Sequence, residues 1–228
     1  MPPTLKSSTG LRRRVSAQRG ALLILLLTLL VAFGLRAYHL DFQSLWTDEG
    51  RSLIRATVPL NELGQHTPLE HMPTYFALLH FWLNATGPSD FALRFVSLWA
   101  SVLAIALTYR LGADLGSRRA GLIAAALLAT GNFQVWYAQE ARMYTLMLAT
   151  GLAATCLLWR LMTRWSTPAI AARDGAQAAA SWFPRDRRFY LTFAGYVLSV
   201  AATVYWHFYG LFLPLTHAVI MAVCVAYR

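Results

Sequence analysis

The chain has 228 residues, of which 57% are hydrophobic and 13% charged, with a formal net charge of +10. That balance excludes an ordinary water-soluble domain and indicates an integral membrane protein. The arginines gather at the ends of apolar segments, so the basic excess reads as topology and contact with anionic membrane lipids, with no nucleic acid implied.

Residues 1–19 are polar and basic, with Lys6, Arg12, Arg13, Arg14 and Arg19, and are expected to form a disordered cytoplasmic tail. An uncharged run from Gly20 to Leu35 follows. A signal peptide shares this start, but the run reaches the ceiling of about 15 residues for such segments, and no small-x-small cleavage site follows. An uncleaved helix to about His39 is expected, with Arg36 snorkelling to the interface. Later apolar segments are Phe91–Leu111, Ala120–Val135, Tyr144–Met162, Phe189–Trp206 and Leu211–Tyr227. Each is near the roughly 20 residues that a spanning helix needs. The expected fold is therefore all-α and polytopic, with about six spans in residues 20–228. Met72–Ala85 is shorter and reads as an interfacial helix, with Pro73 suited to its first turn. Cys156 and Cys224 lie in apolar runs and read as small core residues.

The basic residues test this arrangement. With a cytoplasmic N-terminus and six spans, fifteen of the twenty Lys and Arg fall on the cytoplasmic side, and only Arg36, Arg51, Arg55, Arg94 and Arg142 fall outside. The positive-inside rule favours that skew. If 72–85 crossed as well, the Arg-rich loops at 110–119 and 164–188 would move outside. The same topology puts most acids outside, in a long first loop at about 41–90 and a tight second loop at 135–143. Residues of about 165–188 form a polar cytoplasmic linker.

Four stretches carry candidate chemistry. In "WTDEGRSLIRA", from Trp46 to Ala56, Asp48 precedes Arg51 by three residues and Glu49 precedes Arg55 by six. This suits an amphipathic interfacial helix anchored by Trp46, yet two adjacent carboxylates near hydrocarbon repel each other and lose solvation. A cation opposite, or a proton to be moved, would relieve them. In "HTPLEHMPTYF", His66, Glu70 and His71 could hold a divalent metal or stand as plain loop residues, while Tyr75, Phe76, Phe81 and Trp82 read as an interfacial aromatic face. In "WYAQEARMY", Glu140 and Arg142 sit at the mouth of two helices beside Gln139, either as a functional group or as a local ion pair. In "VYWHFYG", His207 lies among Tyr205 and Tyr209 at a helix end. His217 lies in mid-span and reads as a hydrogen-bonded core group.

Taken in order, Trp46-Thr47-Asp48-Glu49-Gly50, His71-Met72-Pro73-Thr74-Tyr75, Phe91-Ala92-Leu93-Arg94, Arg119-Ala120-Gly121-Leu122, Gln139-Glu140-Ala141-Arg142-Met143-Tyr144 and Trp206-His207-Phe208-Tyr209-Gly210 resemble membrane-embedded lipid-linked sugar transferases of the GT-C class. The resemblance spans about residues 20–228 and is strongest to bacterial family 39-like proteins. These are related to dolichyl-phosphate-mannose protein mannosyltransferases and to the lipid A aminoarabinose transferase.

The resemblance implies an enzyme of the bacterial inner membrane, with its active site on the outer face. Such an enzyme moves a sugar from a polyprenyl-phosphate donor to a hydroxyl of a lipid, glycan or protein acceptor, usually with inversion. Asp48 matches the family's usual base, and Glu49 would sharpen it by like-charge repulsion. Glu140 matches the second acidic position, which helps place the acceptor or, in some relatives, a metal. Arg51, His71, Tyr75, Arg94, Gln139, Arg142 and His207 become candidates for substrate binding, with Arg94 or Arg142 opposite the leaving phosphate. A divalent metal, with Glu70 and His71 as ligands, is compatible with the sequence without being required by it. The chain departs from the family in having one proline after His71. It is also much shorter than the family's members, which makes it the N-terminal part of a longer enzyme or a shortened product. The competing functions are a noncatalytic membrane fragment and a transporter or flippase component.

Overall fold

The computed structural model describes residues 8–68, 71–173 and 186–227, with side chains from 18–68, 71–163 and 186–227. All regular structure among these residues is helical. The helices are α1 (Ser8–Ala37), α2 (Thr47–Thr57), α3 (Thr74–Thr86), α4 (Asp90–Leu115), α5 (Arg118–Thr130), α6 (Asn132–Ala138), α7 (Tyr144–Arg173), α8 (Arg187–Trp206) and α9 (Phe212–Ala226). A short 3₁₀ turn, Phe208–Leu211, links the last two. Five helical stretches are long and apolar enough to cross a membrane: Gln18–Ala37, Asp90–Leu115, Tyr144–Thr163, Arg187–Trp206 and Phe208–Ala226. Side chains on them such as Leu26, Leu30, Trp99, Leu198 and Val219 are exposed, as expected of helices solvated by lipid chains.

Local sequence explains where the helices start. Ser89 accepts a bond from the Ala92 N–H at 3.1 Å and opens α4, with Asp90 in the first turn favouring the positive helix end. Ser117 does the same for α5 through Ala120, and Asp186 for α8 through Phe189. Pro73 precedes α3, one residue ahead of the first turn expected for it.

Three sequence expectations change. Of the expected disordered tail, residues 8–19 belong to α1, because arginine is a good helix former and extends the helix beyond the apolar run, while residues 1–7 lie outside the described residues. The polar linker is helical as far as Arg173, and its remainder to residue 185 lies outside the described residues. The apolar segment Ala120–Val135 is split by Gly131 into the 13-residue α5 and the seven-residue α6.

Arg36 caps the break. It is fully buried and does not snorkel. Its Nη1 donates to Ala129 O at 2.8 Å and Ala32 O at 3.1 Å, its Nη2 to Leu128 O at 3.1 Å and its Nε to Ser101 Oγ at 2.9 Å. Leu128 and Ala129 are in the last turn of α5, where carbonyls lack partners within the helix. A guanidinium from α1 supplies the donors, as basic side chains do at helix C-termini. Around it Ala32, Ile105, Ala125 and Ala129 close a core between α1, α4 and α5.

Farther along, α4 and α5 pack backbone to backbone. A Cβ on Gly121 would lie 2.5 Å from Tyr109 O, and one on Gly112 would lie 2.9 Å from Gly121 Cα. Only hydrogen fits at this crossing. A second core, with Tyr75, Phe76, Leu79, Leu93 and Met143 at its centre, joins α2, α3, α4 and α7. It lies at the end of the bundle where α1 stops and α4 begins, and this end is the rim that carries the candidate site.

Candidate functional site

At the rim, α2 presents its two acids in different directions. Glu49 is 1% exposed and turns inward. Arg94 grips it in two places, Nε to Oε1 at 2.9 Å and Nη2 to Oε2 at 2.7 Å. Glu49 Oε1 also accepts the Ala141 N–H at 2.8 Å, and Arg94 Nη1 donates to Leu40 O and Gln43 O at 2.8 and 2.9 Å. One buried bidentate pair therefore ties α2, α4, the turn after α1 and the loop after α6 together.

This corrects two expectations. Glu49 does not pair with Arg55, whose guanidinium lies 5.0 Å from the Phe76 ring centroid. Glu49 shows Asp48 no bare charge, because Arg94 matches it. Arg94 is engaged by Glu49 and by two backbone carbonyls, and spacing within α2 could not reveal a partner 45 residues away.

Asp48 is the accessible acid, with its side chain 31% exposed. Arg142 Nη1 lies 3.5 Å from Oδ2, and Arg51 Nη1 lies 3.4 Å from Oδ1. Arg51 is well exposed, whereas Arg142 is buried, and its Nε has no hydrogen-bond partner among the described residues. Arg142 Nη2 meets the Tyr144 hydroxyl at 3.4 Å, and its carbonyl accepts Ser97 Oγ at 2.9 Å. The Glu140–Arg142 pair that sequence proximity allowed does not form.

Beside Arg142 lies a layer of rings. His207 is buried, takes the Tyr209 N–H on Nδ1 at 3.2 Å, and has the His71 and Tyr144 ring centroids 6.4 and 6.0 Å away. Burial, then His71 and Arg142, push its pKa down, so the neutral imidazole is favoured. Tyr75 is fully buried, and burial pushes its phenol up. The expected interfacial aromatic face is thus largely internal. Tyr75 and Phe76 are core, Trp82 Nε1 donates to Ala92 O at 2.8 Å, and Phe81 remains exposed. His80 Nδ1 lies 2.8 Å from Ala56 O and fastens α3 to α2.

Glu140 belongs to a different wall. It lines a cleft of about 500 Å³ with Trp46, Trp136, Phe42, Gln43 and Gln139, whose floor is the Glu49–Arg94 pair. Trp136 Nε1 donates to Glu140 Oε1 at 2.6 Å. Burial raises the Glu140 pKa most, and the charges of Glu49 and Asp48 raise it further, against Trp136 and Arg142. Gln139 donates to Arg36 O at 3.2 Å and Tyr38 O at 2.9 Å, so its amide N–H groups bind the chain rather than a ligand. Asp48 and Glu140 share the rim, but Asp48 does not line this cleft.

Among the described residues, no three His, Cys, Asp or Glu side chains gather where they could hold a metal. Glu70 lies outside the described residues. Sequence reading missed Trp136 as part of the site. Its place four residues before Glu140, one helical turn, was the available signal. Comparison of the chain with protein-family models, with curated proteins and with solved structures finds no match.

Proposed function

We propose that this chain works in the transfer of a sugar from a polyprenyl-phosphate carrier to an acceptor hydroxyl, at the extracytoplasmic face of a membrane. The ordered motifs around Asp48, Glu140 and His207 motivate the reading. The observation that carries it is the state of Asp48: a partly exposed carboxylate between two guanidiniums, on a rim supported from beneath by the buried Glu49–Arg94 pair. In the proposed step, Asp48 takes the acceptor's hydroxyl proton as its oxygen bonds to the anomeric carbon. The bond from that carbon to the phosphate oxygen breaks, and the carrier leaves as its phosphate. Arg142, with Arg51 beside it, faces the charge that builds on the leaving oxygens.

A topology goes with this reading. In it α5 and α6 together form the third of six crossings, the N-terminus is cytoplasmic, and both acidic loops are outside. The transporter alternative would use the broken helix as an ion or substrate site. Here the carbonyls at the break already accept from Arg36, which weighs against it.

The test is Asp48→Asn, assayed for sugar transfer in vesicles with a polyprenyl-phosphate sugar donor. Loss of about 10²-fold or more is expected, the scale of a positioned general base. Its melting temperature should fall only modestly, because the Asn side chain still turns an amide oxygen toward the buried Arg142, and Asp48 itself is partly exposed. Transfer at an unchanged rate would remove Asp48 from the mechanism.

A further inference from the structure

The cleft that Glu140 lines has a composition which sugar transfer at Asp48 does not use. Three aromatic side chains open onto it with much of their area uncovered: Trp46 at 47%, Trp136 at 62% and Phe42 at 76% exposed. Of its charged groups, Glu49 and Arg94 neutralise each other in a bidentate pair. Glu140 is left without a direct ion-pair partner in the cleft, with only the more distant Arg142 acting on it. Among the described residues no Lys, Arg or His nitrogen makes an ion pair with it, and its indole partner from Trp136 is neutral. In a chain with net charge +10, this is a local negative site lined by aromatic side chains.

A cation over an aromatic face is attracted by the ring quadrupole, more so where water is partly excluded. A carboxylate that has lost solvation is relieved by a positive partner. Both features call for the same guest. A neutral sugar would stack on the tryptophans but leave the carboxylate without an ion-pair partner, and an anion would be repelled.

We propose that this cleft binds an ammonium group, held by Glu140 and by the rings of Trp46, Trp136 and Phe42. The guest is a zwitterionic lipid headgroup of the ethanolamine type or a soluble amine. The cleft is bordered by the turn that ends α1, where His39 takes a left-handed backbone conformation (φ 55°), stacks on Tyr38 at 4.0 Å and lies tilted against Phe42 at 5.0 Å. Headgroups sit at the ends of spanning helices, so a lipid could enter from the side. Burial raises the Glu140 pKa, and an ammonium group beside it would bring it back down, so binding of the guest and ionisation of Glu140 favour each other. Nothing in this inference depends on sugar transfer.

The test uses the full chain in nanodiscs of phosphatidylglycerol, alone or mixed equally with phosphatidylethanolamine. Native mass spectrometry reads the lipid retained on release, and free ethanolamine is titrated in parallel. Retention of phosphatidylethanolamine over phosphatidylglycerol by about tenfold, a difference of about 1.4 kcal/mol, is expected. Glu140→Gln should abolish it. Trp46→Ala, whose indole makes no hydrogen bond among the described residues, should reduce it with the fold intact. Lipid preference that needs Glu140 assigns the headgroup. Saturable, Glu140-dependent binding of ethanolamine without lipid preference assigns a soluble amine. Equal retention of both lipids with no ethanolamine binding, or a preference that Glu140→Gln leaves unchanged, overturns the proposal.

Discussion

Asp48 and Glu49 are neighbours in sequence with the same functional group, and the helix assigns them opposite work. Successive residues on a helix point about 100° apart, so one acid of the pair faces Arg51 and Arg142 and the other faces the core. A buried ion pair is costly to desolvate, and removing one member leaves the other charge stranded. Glu49→Gln should therefore lower stability by about 3–5 kcal/mol, with Arg94→Met at least as damaging because Leu40 O and Gln43 O also lose their donor. The double variant should cost less than the sum of the two, since the stranded charge is gone. Thermal unfolding of the three variants in one detergent checks this. An unmoved melting temperature for Glu49→Gln would show that the pair does not hold the rim, and would restore Glu49 as a candidate for chemistry.

At the scale of elements, the α5–α6 break shows what the sequence carried and what it did not. Apolar length alone located the segments that became α1, α4, α7, α8 and α9, because a helix that meets lipid must be apolar over its whole run. The breaks and the buried polar contacts depended on partners far along the chain. Arg36 read as a snorkelling residue because its partners, Leu128 and Ala129, lie more than ninety positions on. Glu49 read as a helix-surface acid for the same reason. Asp48 with Arg51 was legible because their spacing is local. Gly131 marked the break, but a lone glycine does not say which side chain will cap it. Arg36→Leu should expose the requirement. It leaves the Leu128 and Ala129 carbonyls buried without donors, at about 1–3 kcal/mol each. A drop of several degrees in melting temperature is expected, with Arg36→Lys intermediate, since one ammonium cannot reproduce the guanidinium fork. If Arg36→Leu melts with the parent, the break does not rely on that side chain.

At the scale of the whole molecule, the open quantity is the number of crossings, and α5–α6 decides it. A 13-residue helix is about 20 Å long, short of a hydrocarbon core of about 30 Å. Joined through Gly131, Arg118–Ala138 is long enough. Contacts tie its two ends to opposite ends of α4: Gly121 packs against Gly112, while Ala141 reaches Glu49 beside Arg94. If the joined unit crosses, the rim residues before and after it lie on one side, and the basic loop at 110–119 lies on the other. Single cysteines at Thr57, Ser117 and Tyr209, each exposed, test this in a background where Cys156 and Cys224 are alanine. A membrane-impermeant maleimide added to intact cells should label Thr57→Cys and Tyr209→Cys, and Ser117→Cys only after permeabilisation. Labelling of Tyr209→Cys on the same side as Ser117→Cys would mean that the chain turns back before crossing at α5–α6. His207 could not then share a face of the membrane with Asp48, and the proposed rim would fall with it.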